Sequence, residues 1–272
     1  MKKLYTIFSL LLVSSSFAQQ STDSVSINRF FYNTKILSNP QKADQITEGV
    51  AVLDIDQSDS RFTDYGNQQR NELKEKLKDD KTLSSMDKVM KIQRIKAGFT
   101  WSIYSNAKEN KLYQELAKQK YFYSDPKNTI QWRIDPEVTQ WEGYNVQKAT
   151  ASYGGRVWYV LFTSDIPVLN GPYKFNNLPG FVVKAWDGAQ EYVFEFTKSQ
   201  NMVVAKDFLA GPTEYAEITK KQAKKADKVH YNKTAVDLLL DLNPKNREYI
   251  DQYPQEMKTK VILTSNPIEK DF

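Results

Sequence analysis

Hydrophobic positions alternate in short runs along most of the chain, and only a few stretches repeat at helical spacing. Between residues 25 and 62, strand-like runs are separated by polar turns, most clearly at 29–37 and 48–56. In the second run Val50 and Val52 face one way while Ala51, Leu53 and Ile55 face the other, which predicts a strand covered on both faces. Residues 68–78 predict a surface helix, since only Leu73 and Leu77 are apolar there. Residues 85–97 predict a second helix carrying Met86, Val89, Met90, Ile92 and Ile95, with Gly98 as its stop.

From Phe99 onward the runs turn β-branched and aromatic. Segments 99–104, 121–124, 130–134, 144–152, 157–163, 181–186 and 192–197 all predict strands. Gly154-Gly155 marks a tight hairpin, because adjacent glycines accept the positive φ angles of a primed turn, and Asp187-Gly188 marks another. Strands joined by short turns are antiparallel neighbours. After Gly211-Pro212 the composition shifts to Lys, Ala and Asp, and residues 219 to about 240 predict a helix opened by a Thr219/Gln222 capping box. One last apolar run, 261–263, precedes Asn266-Pro267. The expected fold is mainly β, or α+β. It is a curved antiparallel sheet, a meander or an open half-barrel, with a few peripheral helices. No repeat or long linker divides it.

The first residues follow a different pattern. Lys2 and Lys3 precede a ten-residue apolar stretch, 4–13, and the small residues Ser14, Ser15, Ser16 and Ala18 follow. That is the layout of a signal peptide over 1–18, cleaved near Ala18/Gln19, rather than of a short buried helix. The expected mature chain is a single domain, 19–272. The stretch is too short to span a membrane, no later window reaches eighteen apolar residues, and no Cys follows it to carry a lipid anchor.

Composition narrows the chemistry. There is no Cys and a single His, His230, so disulfides, iron–sulfur clusters and sites needing two imidazoles are excluded within the chain. The net charge of +5 falls to +3 once residues 1–18 and their two lysines are removed. Together with export, this argues against a nucleic-acid partner. Asp54, Asp56, Ser58 and Asp59 resemble the start of a calcium loop, but Asp59 and Tyr65 occupy the positions that need Gly and Glu. A strand running into a solvated acidic turn is the better reading. His230 has no acidic neighbour close in sequence and reads as a surface or helix-packing residue. The lysines at 220, 221, 224, 225 and 228 read as a solvated helix face rather than a lipid contact. No nucleophile elbow, zinc-protease pair or phosphate loop is present. No catalytic residue, metal ligand or cofactor is therefore assigned.

Residues 165–180, DIPVLNGPYKFNNLPG, lie between two expected strands and exceed a normal hairpin loop. Pro167, Pro172 and Pro179 stiffen the segment, and Leu178, Pro179 and Gly180 suit a type II turn. It reads either as a plug folded over the end of the sheet or as a ligand or partner rim. On the second reading the contact residues are Tyr173, Lys174, Phe175, Leu178, Pro179 and Gly180. The aromatic load points the same way: residues 99–196 hold 21 of the 35 aromatics and all five Trp.

GPYKF at 171–175 followed by NLPGFV at 177–182 resembles the signature of the GLPGLI family of exported proteins from Bacteroidetes. Leu178, Pro179 and Gly180 match the name motif, with Asn177 for its first Gly and Phe181 and Val182 for Leu and Ile. Gly143-Tyr144, Lys148-Ala149, Gly155-Arg156, Phe162-Thr163 and Ile166-Pro167 stand in the family's order, and Trp132 and Asn266-Pro267-Ile268-Glu269 also fit. Members often carry a Cys soon after the Gly-Tyr pair. Asn145 and Val146 stand there instead, which counts against a redox or covalent role tied to it. The resemblance implies a periplasmic cell-envelope protein of a Gram-negative bacterium and brings no established activity. The expected function is a non-enzymatic binding or interaction module, using the 165–180 loop and the aromatic sheet to hold an apolar small ligand or an envelope protein. The alternatives are a carboxylate-based hydrolase and a structural accessory to an outer-membrane complex.

Overall fold

The structure, a computed structural model, describes residues 24–42, 44–57, 59–116, 119–261 and 266–271. The expected signal segment, Ser58 of the acidic turn and residues 262–263 of the last apolar run lie outside them.

Twelve strands among the described residues form one sheet. The first six are β1 (Ser24–Leu37), β2 (Ile46–Asp56), β3 (Asp59–Asp64), β4 (Ser102–Ser105), β5 (Glu109–Leu116) and β6 (Gln119–Pro126). The others are β7 (Arg133–Trp141), β8 (Tyr144–Tyr153), β9 (Arg156–Thr163), β10 (Phe181–Asp187), β11 (Tyr192–Ala205) and β12 (Ala216–Glu217). The order across the sheet is β12-β6-β5-β4-β3-β2-β1-β11-β10-β9-β8-β7. The expected meander is thus two meanders, β1 to β6 and β7 to β11, laid side by side. The fourteen-residue β1 is the seam, pairing with β11 from Ser24↔Ala205 to Ile36↔Tyr192 and with β2 from Asn28↔Ile55 to Leu37↔Ile46. All pairings are antiparallel except the two-residue β12–β6 contact. The sheet does not close. Register shifts at Phe31/Tyr32, Val182/Lys184 and Ile134/Val138 bend it.

β2 is covered on both faces as expected: Ala51 to Ile55 are all buried. Ala51, Leu53 and Ile55 join the main core. Asp54 is also buried, between Arg29 (2.6 Å) and Arg61 (2.7 Å), with Arg61 lying 4.0 Å above the Phe208 ring. The expected solvated acidic turn therefore begins with a buried ion pair, because two cross-strand arginines neutralise the carboxylate.

Helix α1 (Tyr65–Leu77) starts three residues earlier than expected, since Asp64 caps it through the Asn67 N–H (2.7 Å). The same carboxylate accepts from the Gly98 N–H (2.8 Å), tying down both ends of the helical excursion between β3 and β4. Helix α2 (Ser85–Gln93) stops short of the expected Ala97. The helix expected over 219–240 is two helices, α3 (Lys220–Tyr231) and α4 (Ala235–Leu242). Thr234 opens a second capping box with Asp237, which ends the first helix and starts the next.

Candidate functional site

The loop between β9 and β10 lies on the inner face of the sheet. Close approach requires its glycines: a Cβ on Gly171 would stand 2.6 Å from Val182 Cβ, and one on Gly180 would stand 2.4 Å from the Thr163 carbonyl. The Val182 N–H donates to Asn170 O (3.0 Å), and the Trp132 indole donates to Asn176 O (2.8 Å). Tyr173 packs edge-on to Trp101 (5.4 Å), and Phe175 sits 4.6 Å from the ring of Trp158. Tyr173, Lys174, Phe175, Leu178 and Gly180 are buried, and of the six candidate rim residues only Pro179 is exposed. The geometry is that of the plug. Aromatic rings placed between Trp101, Trp132 and Trp158 gain more from the core than from a surface.

Lys174 carries its charge into this core. Its side chain is 1% exposed, and its Nζ donates to Glu269 Oε1 (2.6 Å) and Asp125 Oδ2 (2.5 Å). Lys220, the first residue of α3, places its Nζ 2.6 Å from Glu269 Oε2, and the Tyr173 hydroxyl also donates to Glu269. Burial pushes the Glu269 carboxyl up, but the two ammoniums outweigh it and hold the group down at about 2. The Tyr173 phenol is driven well above its ordinary value, first by burial and then by the Glu269 charge, so it stays a neutral donor.

A second buried cation anchors the same tail. The Arg156 guanidinium uses all five of its N–H donors: Nε to Ile268 O (2.9 Å), one amino group to Asp187 (2.7 Å) and Glu191 (2.6 Å), the other to Asn266 Oδ1 (2.6 Å) and Pro267 O (2.7 Å). Its face covers the Tyr192 ring at 4.8 Å. Asn266 reaches on to Leu37 O (2.7 Å), so the tail also touches the end of β1. The Gly154-Gly155 turn has a second role beyond its φ values of +63° and +68°. Added Cβ atoms there would stand 2.9 Å from Glu269 Cγ and 2.8 Å from Asp271 N, where the tail crosses the hairpin.

Three sequence segments singled out separately, Gly155-Arg156, GPYKF and Asn266-Pro267-Ile268-Glu269, thus meet in one buried ionic clamp. Asp125 and Lys220 complete it: Asp125 carried no signal in the sequence, and Lys220 corrects the expected solvated lysine face, since it alone of those five lysines turns inward, to Glu269, while the other four are exposed.

Beside the clamp lies a cleft of about 260 Å³ between the inner face, α3 and the tail. Phe99, Trp101, Tyr192, Tyr231, Asp227 and Glu269 are among its lining residues. Phe99 and Trp101 stack at 4.0 Å and form an aromatic wall. Asp227 accepts the Tyr121 hydroxyl (2.7 Å), and burial pushes its carboxyl up. His230 is elsewhere, in a separate hollow with Lys225, Lys233 and Asp241. Burial and then Lys233 push its imidazole down. Glu269, with both oxygens engaged by cationic or phenolic donors, is poorly placed to take a proton or attack a substrate.

Fold and site together define an open curved antiparallel sheet, plugged on its inner face and locked by a buried ionic clamp. No protein-family model matches the chain, and no curated protein matches it. Among solved structures it is similar to PNGF-II in a C2 crystal (TM-score 0.52) and in a P21 crystal (TM-score 0.51). Identity is 15% in both, over 78% of this chain but only 34% and 35% of those chains. At that identity the likeness concerns the fold alone, and this chain spans about a third of the PNGF-II chains. Among the described residues no helix is long and apolar enough to cross a membrane.

Proposed function

We propose that this chain is an exported, periplasmic binding module of the GLPGLI type that holds a small, largely apolar ligand in the cleft beside the clamp. The aromatic-walled cleft carries this reading: the stacked Phe99 and Trp101 and the Tyr231 ring stand there beside carboxylate and amide side chains, and a concave site that combines aromatic surface with convergent polar groups is the usual form of a small-molecule pocket. The GLPGLI assignment is supported by the way its quoted segments cooperate, since GPYKF and the terminal NPIE supply the two sides of one ionic clamp. The clamp serves as scaffold, and the cleft supplies the contacts. This moves the contact residues from the 165–180 segment to Trp101, Tyr231 and their neighbours.

Native mass spectrometry of the protein taken directly from the periplasmic fraction tests the reading. The expected result is an N-terminus at Gln19 and a small-molecule adduct that Tyr231→Ala removes. An uncleaved N-terminus overturns the export assignment. A bare chain that no small molecule binds overturns the ligand-binding one.

A further inference from the structure

Among the described residues the buried carboxylates are answered within the fold. Asp54 faces Arg29 and Arg61, Asp187 faces Arg156, and Glu269 faces Lys174 and Lys220. Asp64 takes backbone N–H groups from Asn67 and Gly98. Asp227 is answered less fully. It is half-buried on α3, accepts one neutral phenol hydroxyl from Tyr121, and makes no ion pair among the described residues. Lys224, one turn before it, and Lys228, the next residue, are exposed, and neither pairs with it among the described residues.

Asp227 also lines the aromatic cleft. A carboxylate taken partly out of water without a cation is costly, and an incoming cation relieves that cost. Tyr and Trp faces add to the attraction, because their quadrupoles favour a positive head group. Glu269 does not compete for the ligand's charge, since its own charge is already neutralised by two ammoniums.

We infer that the cleft takes a small organic cation, with an amine head on Asp227 and an aromatic or apolar body against Phe99, Trp101 and Tyr231. The inference rests on the ligand-binding reading and specifies the ligand's chemistry.

Titration calorimetry on the mature chain, using 2-phenylethylamine and its neutral counterpart 2-phenylethanol, tests it. The wild-type chain is expected to bind the amine at least tenfold more tightly than the alcohol. Asp227→Asn is expected to abolish that preference and leave alcohol binding unchanged, while Asp227→Glu retains it. Equal binding of the two probes to the wild-type chain, or an undiminished amine preference in Asp227→Asn, overturns the inference and leaves the cleft reading standing. Binding of neither probe overturns both. Thermal unfolding followed by circular dichroism checks each variant, and if Asp227→Asn does not fold, the amine-to-alcohol ratio on the wild-type chain decides alone.

Discussion

Glu269→Gln is the sharpest perturbation of the clamp. It keeps the shape of the side chain and removes the charge that Lys174 and Lys220 both face. Lys174 is left almost wholly buried with only Asp125 to answer it. Breaking a buried ion pair by removing one partner costs about 3–5 kcal/mol. The carboxyl itself gives a similar figure. Its folded value is about 2 against an ordinary 4.5, and at about 1.4 kcal/mol per unit that is about 3 kcal/mol. Because the folded value is depressed, this stabilisation is fully present above the unfolded value and is lost as pH falls from about 5 through 2. Urea unfolding of wild type and variant at a series of pH values measures it. The variant is expected to be about 3 kcal/mol less stable at pH 7, with the gap narrowing steadily between pH 5 and pH 2. Other carboxylates steepen the acid limb of both proteins, so the difference between the two curves is the decisive quantity. A gap under about 1 kcal/mol at pH 7, or one that does not narrow on acidification, refutes the clamp as described.

Arg156→Lys offers three donors where five are in use and cannot fork between Asp187, Glu191 and the tail carbonyls, so a loss of about 2–4 kcal/mol is expected. A thermal midpoint within 2 °C of wild type would contradict that. Gly155→Ala and Gly143→Ala separate backbone strain from tail docking: both have positive φ, but only at Gly155 does a Cβ meet the tail. Gly143→Ala is expected to cost about 1 kcal/mol and Gly155→Ala clearly more; equal losses would mean that the tail does not press on the hairpin. A chain ending at residue 265 loses three of the five Arg156 acceptors and the Glu269 carboxylate together. It should be degraded by protease under conditions where the full chain survives, and undiminished resistance would place the tail outside the stable core.

The parts of this fold that were legible in the sequence share a physical feature. β8 to β11 carry alternating β-branched and aromatic residues and are punctuated by Gly154-Gly155 and Asp187-Gly188, so period and turns agree. β5 escaped because ENKLYQEL offers only Leu112, Tyr113 and Leu116 as apolar positions, and β3 because DSRFTD offers only Phe62. In β3 the missing hydrophobicity is replaced by electrostatics: Arg61 is half-buried between Asp54, its partner across the β2–β3 hairpin, and the ring of Phe208, which is distant in sequence. The break between α3 and α4 was visible in Thr234 and Asp237, a second capping box inside what looked like one helix. The pairing of β1 with β11 had no local sign at all, since a single-chain pattern gives period and length but not neighbours across some 170 positions.

The same limit explains the candidate site. Tyr173, Lys174 and Phe175 drew attention as a stiff, charged, aromatic cluster, and such a cluster on a loop ordinarily suggests contact with something outside. Here the something is the protein's own tail, about 95 residues further along. A charge placed in the core has to be answered, and Glu269 answers Lys174 as Asp187 and Glu191 answer Arg156. Once those accounts close within the chain, the motif residues have little left to offer a ligand. What stays open is Asp227, a residue in an otherwise lysine-rich helix face that no motif marked. Function in this fold is therefore better sought at the charge the scaffold leaves unanswered than at the motif that holds the scaffold together.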